Sequence, residues 1–341
     1  MIRSLPLSLI ICTYQRPLQV QRLLAALGVQ STIPGETLIV DSSANDETER
    51  IVQRFQSEMK TRNLRYYGVP AEHHGLTRQR NYGIAHAQGD ILAFLDDDTI
   101  PEPGYFEKII DCFERHPEAI GVGGYITNEV QWCQTNGQPR QSLSVFRSGK
   151  WERREDYRWR LRKLLRLASP LSPGWMPPCG HGRPVGFLPP DEQDHQVEFL
   201  MGGASAWRGK IFQQHQFSSY FRGYGLYEDL DFCVRASDDG PLYLCTQARL
   251  AHHHDPSGRP NHFRYGEMVV RNGWLVWKRR WPIPHRSDRM RWWAITTLLA
   301  LCRLGDTLRG LTGRAALADA AGRFWGMITL LWDTPGDAHG S

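Results

Sequence analysis

The sequence predicts an α/β protein built on a mostly parallel sheet with helices on both faces. Two observations carry that prediction. Short apolar runs alternate with segments of helical spacing between residues 7 and 95, and the strongest run, 91–95, ends in three adjacent carboxylates, Asp96, Asp97 and Asp98. At 341 residues, with 41% hydrophobic and 23% charged residues, the chain is long enough for one large or two modest domains with a real core.

Taken in order, residues 7–12 read as a buried first strand, too short for a signal-peptide core and without a small-residue cleavage site behind it. A helix over 17–27 follows from the spacing of Leu18, Leu23, Leu24 and Leu27. Residues 37–40 read as a strand ending at Asp41, Ser42 and Ser43, then 47–55 as a helix, 64–69 as a strand, 78–87 as a helix and 90–95 as a strand. In such sheets ligands bind beyond the carboxyl ends of the strands, and Thr13, Asp41 and Asp96 to Asp98 all fall there. From 131 to 196 the pattern gives way to Pro, Gly and basic residues, which read as an insertion, partly helical over 156–167. Order returns at 197–203 and again at 223–232.

The acidic run is a poor choice for stability, because adjacent carboxylates repel. Side chains alternate along a strand, so Asp96 and Asp98 can share a side while Asp97 points away. Two such carboxylates suit Mg²⁺ or Mn²⁺, which favours one or two carboxylates plus phosphate oxygens. The seven cysteines are scattered without a C-x-x-C pair, so neither a disulfide framework nor a zinc site is expected, and a reducing cytosol fits. Residues 259–341 carry 13 Lys and Arg against 6 Asp and Glu, whereas the rest carries 28 against 30. The same tail holds Trp274, Trp277, Trp281, Trp292, Trp293, Trp325 and Trp332, a mixture suited to an anionic membrane surface. No nucleic-acid motif accompanies the charge, so no nucleic-acid partner is expected.

Four segments in order carry a resemblance: Ile11-Cys12-Thr13-Tyr14-Gln15-Arg16-Pro17, then Ile39-Val40-Asp41-Ser42-Ser43, then Gly75 to Asn81 through Phe94 to Asp98, and finally Tyr227-Glu228-Asp229-Leu230-Asp231-Phe232. Over roughly residues 5 to 275 the chain resembles the family 2 glycosyltransferases of the GT-A fold, Cys12 departing from the family's usual Pro. The resemblance implies a metal-dependent inverting enzyme that uses a nucleoside-diphosphate sugar of UDP or dTDP type. It implies that Asp96 lies nearer the ribose and Asp98 nearer a diphosphate-bound cation, with Asp97 beside them. Asp41 would accept from the imide N–H of the base, Thr13 and Tyr14 would flank it, and Arg80 would meet the diphosphate. Asp41 also reads as a helix cap and Arg80 as a solvated helix cation. Asp229 would be the general base, with Glu228 supporting it, although an acidic group also favours a helix amino end. A third metal ligand is expected from His252, with His253 and His254 as alternatives. Gly202 and Gly203 would let backbone approach the sugar, and Trp207 reads either as an acceptor platform or as core.

The expected organisation is a catalytic domain over 1–258, with the 131–196 insertion, and a basic, Trp-rich helical tail over 259–341. The apolar stretches at 291–304 and 324–332 are too short to cross a bilayer, so the tail reads as an interfacial helical pair at the cytoplasmic leaflet, or as helices packed on protein. The acceptor would then be a glycan or a lipid-linked sugar. A sugar nucleotidyltransferase is the competing enzyme class, disfavoured because residues 9–17 lack a Gly-rich phosphate loop. An inactive membrane-bound scaffold is the other alternative, disfavoured by the joint presence of Asp41, Asp96, Asp98 and Asp229.

Overall fold

The computed structural model describes residues 3–58, 63–135, 142–254, 260–308 and 313–336, so the boundary read at 258 lies outside the described residues. The chain divides into two compact units, Met1–Glu129 with Pro190–Arg259, and Val130–Pro189 with Pro260–Ser341.

The first unit starts with alternating elements: β1 (Arg3–Thr13), α1 (Pro17–Gly28), β2 (Thr32–Asp41), α2 (Glu47–Glu58), β3 (Leu64–Gly68), α3 (Leu76–His86) and β4 (Ile91–Asp96). β5 (Thr99–Pro101), α4 (Tyr105–Arg115) and β6 (Gly121–Ile126) complete its amino-terminal part. Strands β3, β2, β1 and β4 are parallel neighbours. Leu9, Ile10, Ile11, Leu38, Ile39 and Val40 are all buried, as a strand covered on both faces requires. α1 starts on Pro17, whose fixed φ suits the first helical turn, and turns Val20, Leu23, Leu24 and Leu27 inward. α3 buries Thr77, Gln79, Arg80 and Gly83 instead, because this helix faces the polar end of the sheet.

The second unit begins with β7 (Cys133–Gln134), β8 (Val145–Ser148), β9 (Trp151–Arg154) and α5 (Tyr157–Leu164), the strands forming a small sheet in the order β7-β9-β8. The first unit then resumes with β10 (Asp194–Val197), β11 (Ala204–Arg208), α6 (Glu228–Ala236) and β12 (Leu242–His252). β11 enters antiparallel between β4 and β6, and β12 runs parallel to β6. The fold class is therefore the expected one, with a sheet that is parallel from β3 to β4 and mixed beyond β4. The far end of β12 pairs antiparallel with β5, setting His252 opposite Thr99. That register brings a histidine to the acidic turn.

Helices α7 (His262–Arg280), α8 (Arg286–Leu308) and α9 (Gly313–Thr329) complete the second unit. The insertion and the tail, distant in sequence, share its core. Trp277 stacks on Trp292 with ring centroids 5.4 Å apart and donates from Nε1 to the Pro178 carbonyl at 2.8 Å. Gly180 lies against both rings, and a Cβ there would meet Trp292 at 2.8 Å. α7 and α9 cross at glycines: a Cβ on Gly266 would lie 2.1 Å from the Asp319 carbonyl oxygen, and one on Gly322 1.9 Å from that of Phe263. Trp274, Trp277 and Trp292 are thus core residues, whereas Trp325 and Trp332 are exposed. Leu317, Ala321, Trp325, Ile328 and Trp332, spaced by four, four, three and four residues, form a water-facing apolar stripe along α9 and its end. No helix among the described residues is long and apolar enough to cross a membrane.

His181 contacts this tryptophan core, 5.5 Å from the Trp292 ring, and its Nε2 lies 2.9 Å from Thr296 Oγ1. Burial, with Arg162 and Arg323 nearby, pushes its pKa down to about 3. The folded chain therefore keeps His181 neutral where the unfolded chain protonates it, and stability present above about pH 6.5 is lost as the pH falls toward 3. The expectation is that His181→Gln, which can still bond Thr296, flattens the acid limb of stability measured by urea unfolding between pH 7 and pH 4. An unchanged limb would assign the acid sensitivity to other groups.

Candidate active site

Asp96 ends β4 beside Cys12, its register partner on β1, and Thr99 Oγ1 donates to the Asp96 carbonyl at 2.7 Å to close the turn. The three carboxylates then diverge. Asp97 turns back to β1, accepting from Thr13 Oγ1 at 2.7 Å and Arg16 Nη1 at 3.0 Å. Burial raises its pKa to about 7 even though Arg16 and Thr13 favour the charged form. Asp98 reaches the end of β12, with Oδ1 at 3.1 Å from His252 Nε2, while its Oδ2 shares Arg16 with Asp97 at 3.6 Å. Asp97 therefore holds Arg16 in place, and Asp98 meets the histidine.

His252 is gripped at both ends. Its backbone N–H donates to Asn128 Oδ1 and its carbonyl accepts from Asn128 Nδ2, both at 2.8 Å. Burial would lower the imidazole pKa, yet hydrogen bonds to Asp98 and Glu129 lift it to about 10. Donor atoms of Asp96, Asp98 and His252 lie within 4.8 Å of one another. Two carboxylate oxygens and an imidazole nitrogen, charge-balanced by a proton that a cation can replace, fit Mg²⁺ or Mn²⁺. Of the other two histidines, His253 is exposed and His254 pairs with Glu129 at 2.7 Å.

A cavity of about 420 Å³ opens along the strand ends, lined among others by Thr13, Tyr14, Arg16, Gln79, Asp96 and Tyr224. Gln79 Nε2 donates to the carbonyls of Thr13 at 2.9 Å and Val40 at 2.8 Å, fixing the ends of β1 and β2 together. Asp41 lies behind Ser42 and is buried. Its Oδ1 accepts from Ser43 N at 2.8 Å and Ser43 Oγ at 2.5 Å, and its Oδ2 from the Tyr66 hydroxyl at 3.1 Å. α2 begins six residues later, at Glu47, so Asp41 is not its cap.

Arg80 is the buried centre of the site. Its guanidinium lies beside the edge-to-face pair of Phe94 and Phe217, pairs through Nη1 with Glu228, and reaches Asp96 through Nη2 at 3.5 Å. Burial works against its charge, but Glu228 and Asp96 more than restore it and raise its pKa. Glu228 is pushed up to about 8, by burial first and with Asp229 adding to it, while Arg80 opposes the shift. Asp229 follows at the start of α6, accepting from Gly202 N at 3.0 Å and Leu230 N at 2.8 Å, with a pKa raised by burial.

The two glycines before β11 are dictated by these partners. A Cβ on Gly203 would lie 2.1 Å from Asp96 Cγ, and one on Gly202 2.6 Å from Arg80 Nη1. Trp207 is buried against Phe232 and is core, so it offers no platform. Arg16, Glu129 and Asn128 are the site residues that sequence reading passed over. Arg16 carried a signal, a cation three residues beyond a strand end that faces an acidic strand end.

The fold and this constellation define an α/β domain with an acidic site at the carboxyl ends of its strands. Residues 8–168 match the family model of glycosyl transferase family 2, and the fold is that of GT-A glycosyltransferase structures. The glucosyl-dolichyl phosphate glucuronosyltransferase of Haloferax volcanii is 27% identical over 121 residues, covering 35% of this chain and 37% of that protein. Chondroitin synthase of Escherichia coli is 24% identical over 280 residues, covering 75% of this chain but 35% of its own length. The chain thus spans little more than a third of these curated relatives. A mannosyltransferase from Pyrobaculum calidifontis, solved in complex with GDP-Man and Mn²⁺, superposes with a TM-score of 0.56 at 13% identity, over 97% of this chain and 88% of that one.

Arg80→Met is expected to lower stability by about 3–5 kcal/mol, because it strands Glu228 and Asp96 without their shared cation. Replacing Arg80 and Glu228 together, R80M with E228Q, should recover a large part of that loss. Urea unfolding of the single and double variants measures the coupling, and strict additivity would mean that the pair does not act as a unit.

Proposed function

We propose that the chain transfers a sugar from a nucleoside-diphosphate sugar, of uridine or thymidine type, to a hydroxyl of a glycan or lipid-linked acceptor, with inversion at the anomeric carbon. The observation that carries this reading is a two-carboxylate and histidine donor set whose Asp96 lines the cavity, with a separate carboxylate, Asp229, bonded to Gly202 next to the glycine that packs on Asp96. The cavity volume falls within the roughly 300–1,000 Å³ of small-molecule sites. Its mouth offers the half-exposed Tyr14 ring as a stacking face for a base, and Asp41 stands behind Ser42 as the acceptor for an imide N–H.

Asp229 is the base in this scheme. The amides of Gly202 and Leu230 aim its carboxylate, and burial makes it a stronger proton acceptor than an exposed aspartate. It takes the proton of the acceptor hydroxyl as that oxygen attacks the anomeric carbon on the face opposite the departing diphosphate. Arg16, held at the cavity by Asp97, offers a guanidinium to phosphate oxygens. Asp96, Asp98 and His252 would hold Mg²⁺ or Mn²⁺, and the bound cation supplies positive charge against the diphosphate leaving group. Glu228 acts through Arg80, fixing the wall on which Asp96 and Asp229 stand.

The second unit supports a peripheral contact with an anionic membrane surface on the cytoplasmic side. The excess of Lys and Arg over Asp and Glu in the tail favours anionic lipid, and the apolar stripe of α9 suits the headgroup boundary rather than water.

Asp229→Asn keeps the shape and one of the two amide contacts, which fall on different oxygens, but loses basicity, so turnover should fall at least about a hundredfold while nucleotide affinity stays near parental. Near-parental turnover on a defined acceptor would remove Asp229 as the base. Asp98→Ala should abolish the Mn²⁺-dependent part of UDP binding in calorimetry, and binding that ignores both the substitution and added Mn²⁺ would sink the metal assignment.

A further inference from the structure

We propose that the second unit carries a binding site for a lipid phosphate, in the pocket between the end of α7 and the start of α8. The inference rests on the membrane-contact reading above and names the ligand behind it. The pocket encloses about 270 Å³ and is lined by Trp274, Trp277, Lys278, Pro282, Ile283 and Arg289 among others. Two cations share it. Lys278 donates to the Pro282 carbonyl, and the Arg289 guanidinium lies 5.9 Å from the Trp274 ring centroid. Among the described residues no ion pair joins either cation to a carboxylate. Burial and the neighbouring Arg289 both press on the charged form of Lys278 and lower its pKa. Like charges held together in a partly desolvated recess are costly alone and favour an anion between them.

The rest of the pocket selects the kind of anion. Its floor is indole, from Trp274 and Trp277, rather than the backbone amides and hydroxyls that cradle a free phosphate. Its rim is apolar and open: Pro282, Ile283 and Pro284 line it, and Ile283 is 95% exposed, with the exposed Met290 next to Arg289 along α8. Apolar side chains standing in water beside a pair of cations over an indole floor match a phosphate headgroup above acyl chains. Phosphate oxygens would take the Lys278 and Arg289 donors, and the chain carbons would cover Ile283 and Met290.

The test uses the full chain and three proteins: the parent, the pocket variant Lys278→Gln with Arg289→Gln, and a charge-matched control, Arg160→Gln with Arg314→Gln, at exposed positions elsewhere in the second unit. Partition onto phosphatidylcholine vesicles containing phosphatidic acid is measured by co-sedimentation. Trp emission is followed with the soluble dihexanoyl phosphatidic acid and, separately, with inorganic phosphate. The pocket variant should lose about tenfold in partition and the control about twofold or less. The soluble lipid should shift the emission of the parent but not of the pocket variant, with inorganic phosphate giving no shift. Equal losses in the two variants, or an equal response to inorganic phosphate, would overturn the lipid-phosphate site. If the parent ignored vesicles but still answered the soluble lipid, the membrane reading would fall and the pocket would stand. UDP binding retained by all three proteins shows that loss of partition is not loss of fold.

Discussion

The buried guanidinium of Arg80 is the constraint around which the first unit is arranged. It comes from α3, meets Asp96 at the end of β4, and pairs with Glu228 at the start of α6, so one cation ties the consecutive elements α3 and β4 to the distant α6. Phe94 and Phe217 pack beside it, and it is buried from water. A charge so placed is tolerated only because its partners are equally fixed, and the same fixation gives the site its geometry. Gly202 and Gly203 follow from it, since the space a side chain would need there is filled by Arg80 and Asp96.

Three adjacent aspartates serve different ends because the turn after β4 sends them in different directions. Asp97 faces Thr13 and Arg16, Asp98 faces His252, and Asp96 lies between the cavity and Arg80. The repulsion of the run is offset by Arg16 between Asp97 and Asp98, by Arg80 beside Asp96 and by His252 beside Asp98. His252 reaches this turn through strand pairing: β12 places it opposite Thr99, and Asn128 clamps its backbone from both sides.

The tail shows how composition can be read two ways. Seven tryptophans among basic residues suggested a headgroup belt, and in the structure the residues divide. Trp274, Trp277 and Trp292 build a core with the insertion around Pro178 and Gly180, while Trp325 and Trp332 continue an apolar stripe that faces water. Spacing along one helix reveals that stripe, but which face of the helix turns outward depends on what packs against the other. Here that is α7, brought close by glycine at Gly266 and Gly322.

By itself the sequence determined the alternating elements of residues 7–95, the strand-end position of Thr13, Asp41 and Asp96, the acidic opening of α6, and the family resemblance, because each is a local pattern written in periodicity or in neighbouring residues. Tertiary structure decided the rest. Trp207 became core, Asp41 bonded to Ser43 and Tyr66, Arg80 became a buried bridge rather than a solvated cation, and His252 was brought to Asp98 by the register of β12 on β5. Arg16 and Glu129 entered the site, and the insertion joined the tail in one unit. Partners separated by tens or hundreds of residues leave no mark in local spacing. Burial, which sets both the charge state of Glu228 and the role of each tryptophan, exists only once those distant segments have packed.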